Sequence, residues 1–344
     1  MIKLSLIVPT YNRADSLKLT VDSICSQTIS PDVFELLIID NNSTDNTKVV
    51  SEAAIAAFPE HNIRYIFEPI PGLLSGRHRG ASEAKGDILV FVDDDIEADK
   101  GWLEAIKDAF AYPTVQLVGG RNLPRYESDP PAWLQWFWAE QPGGISCGYL
   151  SLVDLGEEVM EIGANFVWGL NFSIRRSALV DLGGFHPDCM PKHLQHFQGD
   201  GETGLTMKAN ERAYKAVYQP KALLFHHVPS NRMTLEYFDS RCFYQGVCNS
   251  FTDIRRQYGL YKIVTKKTGM KETLIRKLVH VKMTTVNILR KKTAEEVLIE
   301  RFHNAYLDGY RFHQESVKKY PALLKWVLKE NYWDYKLPDL TIEP

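Results

Sequence analysis

The chain has 344 residues, of which 44% are hydrophobic and 24% are charged, and its formal net charge at pH 7 is −3. This composition is typical of a globular protein with one large or two smaller domains, and the charge balance argues against a nucleic-acid partner. The five cysteines show no CxxC spacing, and no apolar window approaches the roughly 18 residues that span a bilayer, so we expect a cytoplasmic protein that is neither secreted nor membrane-inserted.

The first predicted strand, residues 3–8, ends in a polar loop that precedes an amphipathic helix. The loop sequence is Pro9-Thr10-Tyr11-Asn12-Arg13, and it contains no glycine. A dinucleotide-binding fold would place glycines here, so that a pyrophosphate can approach the backbone. The loop can still carry a nucleotide, but its composition argues against an NAD-dependent dehydrogenase.

Polar residues also follow the second and third predicted strands. Residues 34–39 form an apolar strand that ends at Asp40, an acid suited to a ribose hydroxyl or to the N–H of a base edge. After a third strand at residues 63–67, a helix over residues 72–85 carries Arg77 and Arg79. The guanidinium of Arg77 is suited to a diphosphate, whereas we assign Arg79 to a solvated helix face.

The fourth predicted strand, Ile88–Val92, consists of apolar residues and ends in Asp93, Asp94 and Asp95. Carboxylates at the rim of a sheet repel one another unless a cation compensates, and ligands bind at the carboxyl end of strands in α/β sheets. Side chains alternate along an extended chain, so Asp93 and Asp95 can share one ion, and all-oxygen ligation favours Mg²⁺ or Mn²⁺. The alternative is a solvated acidic turn, which the buried strand directly before it disfavours.

The alternation of strands and helices from residue 3 to residue 119 predicts an α/β fold with a mostly parallel sheet. Residues 122–158 interrupt this alternation with prolines, glycines and a group of aromatic residues that includes Trp133, Trp136 and Phe137. A connection of this length suggests a lid or an acceptor platform. The spacing of the aromatic residues equally suits one helical face packed on the core.

The remaining strands of the predicted α/β region lie between residues 163 and 225. A strand within residues 163–174 is followed by a short helix and by Gly183-Gly184-Phe185. The segment HFQGDGE at residues 196–202 opens another helix, and strands at 215–218 and 222–225 end at His226 and His227.

The pattern then changes to long helices, predicted over residues 235–258, 271–291 and 293–329. We therefore divide the chain into residues 1–230 and a helical region, residues 231–344. Between Lys262 and Lys292 the charges are almost all positive, which predicts either a surface for anionic lipid head groups or a solvated basic helix face.

Five segments, in this order along the chain, resemble those of family 2 glycosyltransferases. They are VPTYNR at residues 8–13, IIDNNSTD at 38–45, the segment around Arg77, the run from Gly86 to Asp95, and GGF at 183–185. The resemblance covers residues 3–230 of the chain. It implies the GT-A fold, a nucleotide-sugar donor, a divalent metal ion and inversion at the anomeric carbon.

The resemblance also implies roles for individual residues. For the donor, they are Pro9, Thr10 and Tyr11 as a wall of the base pocket, Arg13 beside them, Asp40 on the base or ribose, and Arg77 on the nucleotide. For the metal ion, they are Asp95, its neighbours Asp93 and Asp94, which assist it and hold ribose, and one of His226 and His227. Trp168 and Asn171 are implied to border the sugar or the acceptor.

The catalytic-base motif departs from the family pattern. Family members carry an adjacent Glu-Asp pair, whereas here Gly201 separates Asp200 from Glu202. We assign the base to Glu202, because Leu205 and Lys208 follow it at the family's spacing, and we expect Asp200 to cap the N-terminus of the helix. The base would take the proton of the acceptor hydroxyl, while the metal ion and acids stabilise the leaving nucleoside diphosphate.

The predicted function is transfer of a sugar, with UDP-sugar favoured as donor, to a saccharide, lipid-linked or polymeric acceptor in polysaccharide, lipopolysaccharide or glycoconjugate biosynthesis. The basic stretch adds a peripheral contact with the inner face of the membrane. Two alternatives stay open. A nucleotidyltransferase would show a glycine-rich loop, which residues 9–13 lack, and an inactive nucleotide-sugar binding protein would bind the donor without turnover.

Overall fold

The computed structural model describes residues 2–261 and 292–340 and is built around one mixed sheet. Four parallel strands open this sheet in the order β3-β2-β1-β4. They are β1 (Leu4–Thr10), β2 (Phe34–Asp40), β3 (Asn62–Phe67) and β4 (Ile88–Val92). Every residue of β1, β2 and β4 is buried, as expected for parallel strands covered on both faces. The predicted mostly parallel α/β architecture is thus confirmed for this half of the sheet.

Three helices cover this parallel half. They are α1 (Ala14–Cys25), α2 (Thr47–Ala57) and α3 (Leu73–Glu83). The next helix, α4 (Trp102–Ala109), packs mainly on the later strands of the sheet. Helix α3 lies unusually close to β1, since a Cβ placed on Gly80 would be 2.3 Å from the side chain of Ile7. Only glycine allows this approach, and it holds Arg77, on the same helix, in a buried position.

The sheet continues with both antiparallel and parallel pairings. Strand β11 (Asn171–Arg175) lies between β4 and β6 (Val115–Tyr126), and β12 (Lys215–Val228) pairs with β6 in parallel. The short β5 (Ile96–Ala98) pairs with the end of β12, with Ile96 opposite His226. This pairing brings the acids that precede β5 beside the histidines that end β12.

Strand β12 contains both strands predicted at residues 215–218 and 222–225. Its pairing with β6 shifts register between Gln219 and Leu223, the stretch that holds Pro220. Proline has no N–H for the ladder, so the strand is irregular there without ending.

The segment 122–158 forms structure of its own and also reaches the C-terminal helices. It contains a 3₁₀ helix (Ala132–Phe137) and the strands β7 (Ala139–Gln141), β8 (Gly144–Cys147) and β9 (Leu152–Asp154), and β10 (Met160–Ile162) follows it. The ring centroids of Trp133 and Phe137 lie 4.8 and 4.5 Å from that of Phe238. Of the two readings left open for these aromatic residues, the structure therefore matches packing on a core, although Trp136 is 36% exposed.

The other α-helices within the described ranges are α5 (Arg176–Asp181), α6 (Glu202–Glu211), α7 (Leu235–Gln257), α8 (Ala294–Lys319) and α9 (Pro321–Val327). The helix predicted over residues 293–329 is interrupted after Lys319, because Pro321 disfavours helical geometry at the residue before it. Helices α7 and α8 meet at Gly246, where an added Cβ would lie 2.0 Å from the carbonyl oxygen of Tyr306.

One buried cluster joins the two ranges into which the sequence was divided at residue 230. It contains Ile7 and Phe91 of the parallel sheet together with Phe251, Leu323 and Tyr332. The helix predicted over 271–291 and the basic stretch, apart from Lys292, lie outside the described residues. Within the described ranges, no helix combines the length and the apolar composition that crossing a bilayer requires.

Candidate active site

The acidic run after β4 is largely removed from water, and its three carboxyl groups differ in charge. Asp94 and Asp95 are buried. Burial, followed by the charge of Asp95, raises the pKa of Asp93 to about 6 and that of Asp94 to about 7. Burial alone would also raise the pKa of Asp95, but His226 and Arg13 outweigh burial and lower this pKa. Asp95 is therefore the member that holds its negative charge most firmly, and Asp94 is the one closest to half-protonated at neutral pH.

Two arginines neutralise this charge. Arg13, from the loop after β1, pairs with Asp95 and also lies 3.2 Å from Asp94 Oδ1. Arg232 Nη2 lies 2.7 Å from Asp95 Oδ2, and its Nη1 is 2.9 Å from His226 Nε2. Arg232 was not predicted from the sequence, since it belongs to a 3₁₀ turn (Ser230–Met233) outside every motif.

His226 and His227, near the end of β12, point to different surroundings, because successive side chains of a strand alternate in direction. His226 Nε2 is 3.5 Å from Asp95 Oδ1, whereas His227 Nε2 is 3.7 Å from Glu97 Oε2. His226 Nδ1 is 2.8 Å from the carbonyl oxygen of Leu150, which can only accept a hydrogen bond. This contact fixes the orientation of the ring and leaves Nε2 facing Asp95.

The residues around Asp95 fit the divalent ion that the resemblance implies. Asp95 Oδ1 is buried without a hydrogen-bond partner, beside His226 Nε2. Among the described residues, no three His, Cys, Asp or Glu side chains form a complete metal site. Two protein ligands are sufficient for Mg²⁺ or Mn²⁺ when phosphate oxygens and water supply the others. His226 Nε2 could act as a ligand only if Arg232 Nη1, 2.9 Å away, moved aside.

The residues predicted for the nucleotide lie at the same edge of the sheet. Thr10 at the end of β1 pairs with Asp40 at the end of β2, Pro9 is buried next to it, and Tyr11 is 53% exposed. Asp40 accepts hydrogen bonds from the backbone N–H of Ser43 (2.8 Å) and from the hydroxyl of Tyr65 (2.7 Å). These contacts position Asp40 beside the loop that follows β1.

Arg77, which was predicted to contact the nucleotide, pairs with the predicted base. Its side chain is buried, and Nη1 lies 3.3 Å from Glu202 Oε2. The other oxygen of Glu202 accepts the backbone N–H of Gly169 at 3.2 Å. The positive charge of Arg77 also counteracts the rise in the pKa of Asp93, so this guanidinium acts on the acidic run as well as on Glu202. The side chain of Glu202 is 28% exposed, and its two oxygens are held by Arg77 and by the N–H of Gly169.

Asp200 lies elsewhere and does not cap the helix with its side chain. The chain turns at Gly201, where φ is 56°, and the acids on either side of it reach different environments. The carboxylate of Asp200 lies 2.6 Å from His186 Nδ1, 2.8 Å from Thr252 Oγ1 and 3.1 Å from the hydroxyl of Tyr261. Burial opposes ionisation, but His186 and Thr252 outweigh it and lower the pKa of Asp200.

A further carboxylate, Asp188, was not predicted from the sequence. Its Oδ1 accepts hydrogen bonds from Gln198 Nε2 (2.7 Å) and from the backbone N–H of Cys189 (2.8 Å). Burial and then the charge of Glu202 raise the pKa of Asp188. Its carboxylate lies close to the residue before Glu202, since a Cβ placed on Gly201 would be 2.7 Å from Asp188 Oδ2. No residue spacing marks Asp188 in the sequence, because its position results from the turn that contains it.

The two residues predicted to border the sugar occupy different places. Asn171 is buried and its amide is used within the fold, accepting from Trp102 Nε1 (3.1 Å) and donating to the carbonyl of Ala222 (2.9 Å). Trp168 is half-buried, donates to the carbonyl of Asn165 (2.9 Å), and directly precedes Gly169, the donor to Glu202. Trp168 thus packs against the cluster of Val153, Leu155 and Tyr218, whereas Asn171 is enclosed within the fold.

A cleft of about 1090 Å³ opens between the loop after β1 and the segment after β12, beside the acidic run. Its lining includes Arg13, Asp95, Arg232 and Tyr237. The family described as Glycosyl transferase family 2 matches residues 5–183, more than half of the chain. The chain belongs to glycosyltransferase family 2. The resemblance inferred from the five sequence segments is therefore confirmed.

Known relatives of this glycosyltransferase include enzymes from archaea and bacteria. The glucosyl-dolichyl phosphate glucuronosyltransferase of Haloferax volcanii is 24% identical, over 73% of this chain and 78% of that protein. The O-antigen chain rhamnosyltransferase RfbN of Salmonella typhimurium is 26% identical, over 75% of this chain and 76% of that protein.

Among solved structures, the fold is similar to that of the mannosyltransferase PcManGT from Pyrobaculum calidifontis, in complex with GDP-Man and Mn²⁺. The TM-score is 0.54 at 19% identity, covering 97% of this chain and 88% of that one. The GT-A fold and the helical C-terminal region expected from the sequence are confirmed.

In this glycosyltransferase, Asp200→Asn is expected to lower the free energy of unfolding by about 1–2 kcal/mol, and Asp200→Ala by about 3 kcal/mol or more, because Ala leaves buried partners without an acceptor. The lowered pKa means that ionised Asp200 stabilises the fold above its unfolded pKa of about 4, a contribution lost as the pH falls through the folded pKa. Denaturant unfolding at several pH values should therefore show the parent and Asp200→Asn converging below about pH 4. A constant difference between them down to pH 2 would contradict this assignment.

Proposed function

We propose that the protein transfers a sugar from a nucleotide-sugar donor to an acceptor hydroxyl with inversion of configuration. The observation that carries this proposal is the buried Arg77, which pairs with Glu202 on one side and acts on Asp93 of the acidic run on the other. A group able to accept a proton and a group able to hold a diphosphate thus face one region. That arrangement is what displacement at an anomeric carbon requires.

For the donor side, we propose that Asp95 and His226, in preference to His227, hold Mn²⁺ or Mg²⁺. When bound, the ion would neutralise charge on the leaving diphosphate. Arg13 and Arg232 contact Asp95 and carry guanidinium groups suited to phosphate oxygens. The edge formed by Pro9, Thr10, Tyr11 and Asp40 would hold the base and ribose, and we propose a UDP-sugar as the donor.

For the acceptor side, we propose Glu202 as the general base. The acceptor oxygen forms a bond to the anomeric carbon while the bond from that carbon to the diphosphate oxygen breaks, and the acceptor proton passes to Glu202. Attack from the face opposite the leaving group inverts the configuration. The N–H of Gly169 and the guanidinium of Arg77 hold one carboxylate oxygen each and so orient the side chain of Glu202.

For the acceptor itself, we propose a saccharide that is lipid-linked or polymeric. The names of the relatives support this class, since one acts with glucosyl-dolichyl phosphate and another on an O-antigen chain. The basic stretch from Lys262 to Lys292 would provide a peripheral contact with the cytoplasmic face of a membrane.

The test is a binding screen of UDP-, GDP- and dTDP-sugars by calorimetry with and without Mn²⁺, followed by measurement of nucleoside diphosphate release. We expect a UDP-sugar to bind more tightly with Mn²⁺ and to be turned over. Pyrophosphate release from a nucleoside triphosphate would instead indicate a nucleotidyltransferase. Donor binding without turnover, across mono-, oligo- and lipid-linked saccharides, would indicate an inactive binding protein.

A further inference from the structure

Arg241, on α7, differs from the arginines already described. Arg13, Arg77 and Arg232 each pair with a carboxylate. Over the described ranges, Arg241 takes part in no ion pair or hydrogen bond, and its Nε is buried without a partner. Arg241 as a whole is half-buried, so its guanidinium combines an unpaired Nε–H with donors that remain within reach of solvent. The structure therefore leaves a cationic group available to a ligand.

The helical repeat places Arg241 on the base side of the site. Tyr237, Arg241, Tyr244 and Cys248 recur at the spacing of one helix face. Tyr237 lines the cleft beside Asp95, and Cys248 Sγ lies 3.8 Å from Gln198 Nε2. The same Gln198 nitrogen donates to Asp188, the neighbour of Glu202. Arg241 lies on this face between the cleft and the segment that contains Asp188.

The guanidinium of Arg241 carries a positive charge at neutral pH. Burial lowers its pKa, but the neighbouring Tyr237, Cys189 and Asp188 outweigh burial and raise it. None of these groups is within ion-pair distance, so the guanidinium is charged and unpaired among the described residues.

We propose that Arg241 binds an oxyanion carried by the acceptor, a phosphate or a carboxylate, and so orients the acceptor hydroxyl toward Glu202. The inference rests on the proposed function. The diphosphate of the donor would already meet Arg13 and Arg232 at Asp95, whereas Arg241 neighbours the acids of the base side. The planar guanidinium matches two oxygens of a phosphate or carboxylate at once, which fixes the orientation of the bound group.

The test uses the full chain saturated with UDP and Mg²⁺, so that the diphosphate position is filled. Glucose 1-phosphate and glucuronic acid are then titrated in separate calorimetric experiments, which distinguishes a phosphate from a carboxylate. We expect the parent to bind at least one of them at millimolar concentration. Arg241→Gln should weaken that binding at least tenfold while leaving the affinity for UDP unchanged. The affinity of Arg241→Lys for the probe should lie between those of the parent and Arg241→Gln.

The matched control is Arg256→Gln on the same helix, because Arg256 is 43% exposed in its side chain and pairs with Asp253 at 3.0 Å. This variant should bind both probes as the parent does. Equal binding by Arg241→Gln and the parent, or absence of binding of either probe to the parent, would overturn the inference alone. Weaker UDP binding in Arg241→Gln would overturn it by assigning Arg241 to the donor. Failure of the parent to bind UDP would overturn the proposed function as well.

Discussion

Replacing Asp95 with Ala is expected to abolish the effect of Mn²⁺ on UDP binding. Asp95 is the acid whose pKa is lowered, and its unpaired Oδ1 lies beside His226 Nε2. Without that carboxylate, His226 keeps no carboxylate of the described residues within ion-pair distance. Asp93 and Asp94 have raised pKa values, and Arg13 and Arg232 repel a divalent ion. In calorimetry, Mn²⁺ should strengthen UDP binding at least tenfold in the parent and not measurably in Asp95→Ala.

The same experiment distinguishes the two histidines. Glu97→Ala is the matched control, since Glu97 is a nearby acid that lies 3.7 Å from His227 and pairs with Arg125 at 3.0 Å. This variant should keep the full response to Mn²⁺. If Glu97→Ala loses the response and Asp95→Ala keeps it, the ion is held by the Glu97 and His227 pair. Unchanged circular dichroism of both variants shows that the fold is intact.

Arg13 and Arg232 add a second expectation for Asp95→Ala. Both contact Asp95 in this structure, so removing the carboxylate frees two guanidinium groups at the position proposed for the diphosphate. UDP binding in the presence of a chelator should therefore be at least as tight in Asp95→Ala as in the parent. Loss of chelator-resistant binding would show that the arginines depend on Asp95 for their positions.

The edge of the sheet that we propose for the donor follows from local sequence patterns. Strands β1, β2 and β4 are apolar runs that end in polar residues, and a parallel sheet brings the ends of such strands to one edge. That rule is sufficient to place Thr10, Asp40 and Asp95 at one edge of the sheet. The alternation of side chains along β12 also explains why only His226 points toward Asp95, although the sequence alone does not set the phase of that alternation.

The partners of these acids depend on contacts between distant segments. Arg232 reaches Asp95 from a turn after the last strand, and no spacing relates the two residues. Asp200 looks like a helix cap in the sequence, yet the hydroxyls of Thr252 and Tyr261 bind its carboxylate in the interior. The local pattern is compatible with capping and with an interior hydrogen-bond acceptor, and the packing of α7 against this segment makes Asp200 an interior acceptor.

Glu202→Gln is expected to lower the turnover of sugar transfer by a factor of about 10²–10⁴ while leaving the affinity for UDP and Mn²⁺ unchanged. Glutamine has nearly the same shape, and its amide oxygen can still accept the N–H of Gly169, but it cannot take a proton. Arg77 loses one ionic partner, yet the charges of Asp93 and Asp188 still act on it. The loss should therefore appear in kcat rather than in donor binding.

Two other acids serve as controls for this assignment. Asp200→Asn removes the second acid of the predicted pair, whose carboxylate is bound by His186 and Thr252, and it should keep most of the activity. Asp188→Asn removes a buried acid that already accepts from Gln198 and Cys189, and it should likewise stay within about tenfold of the parent. An active Glu202→Gln with an inactive Asp200→Asn would assign the base to Asp200. An active Glu202→Gln with an inactive Asp188→Asn would assign it to Asp188, the acid that the sequence does not mark.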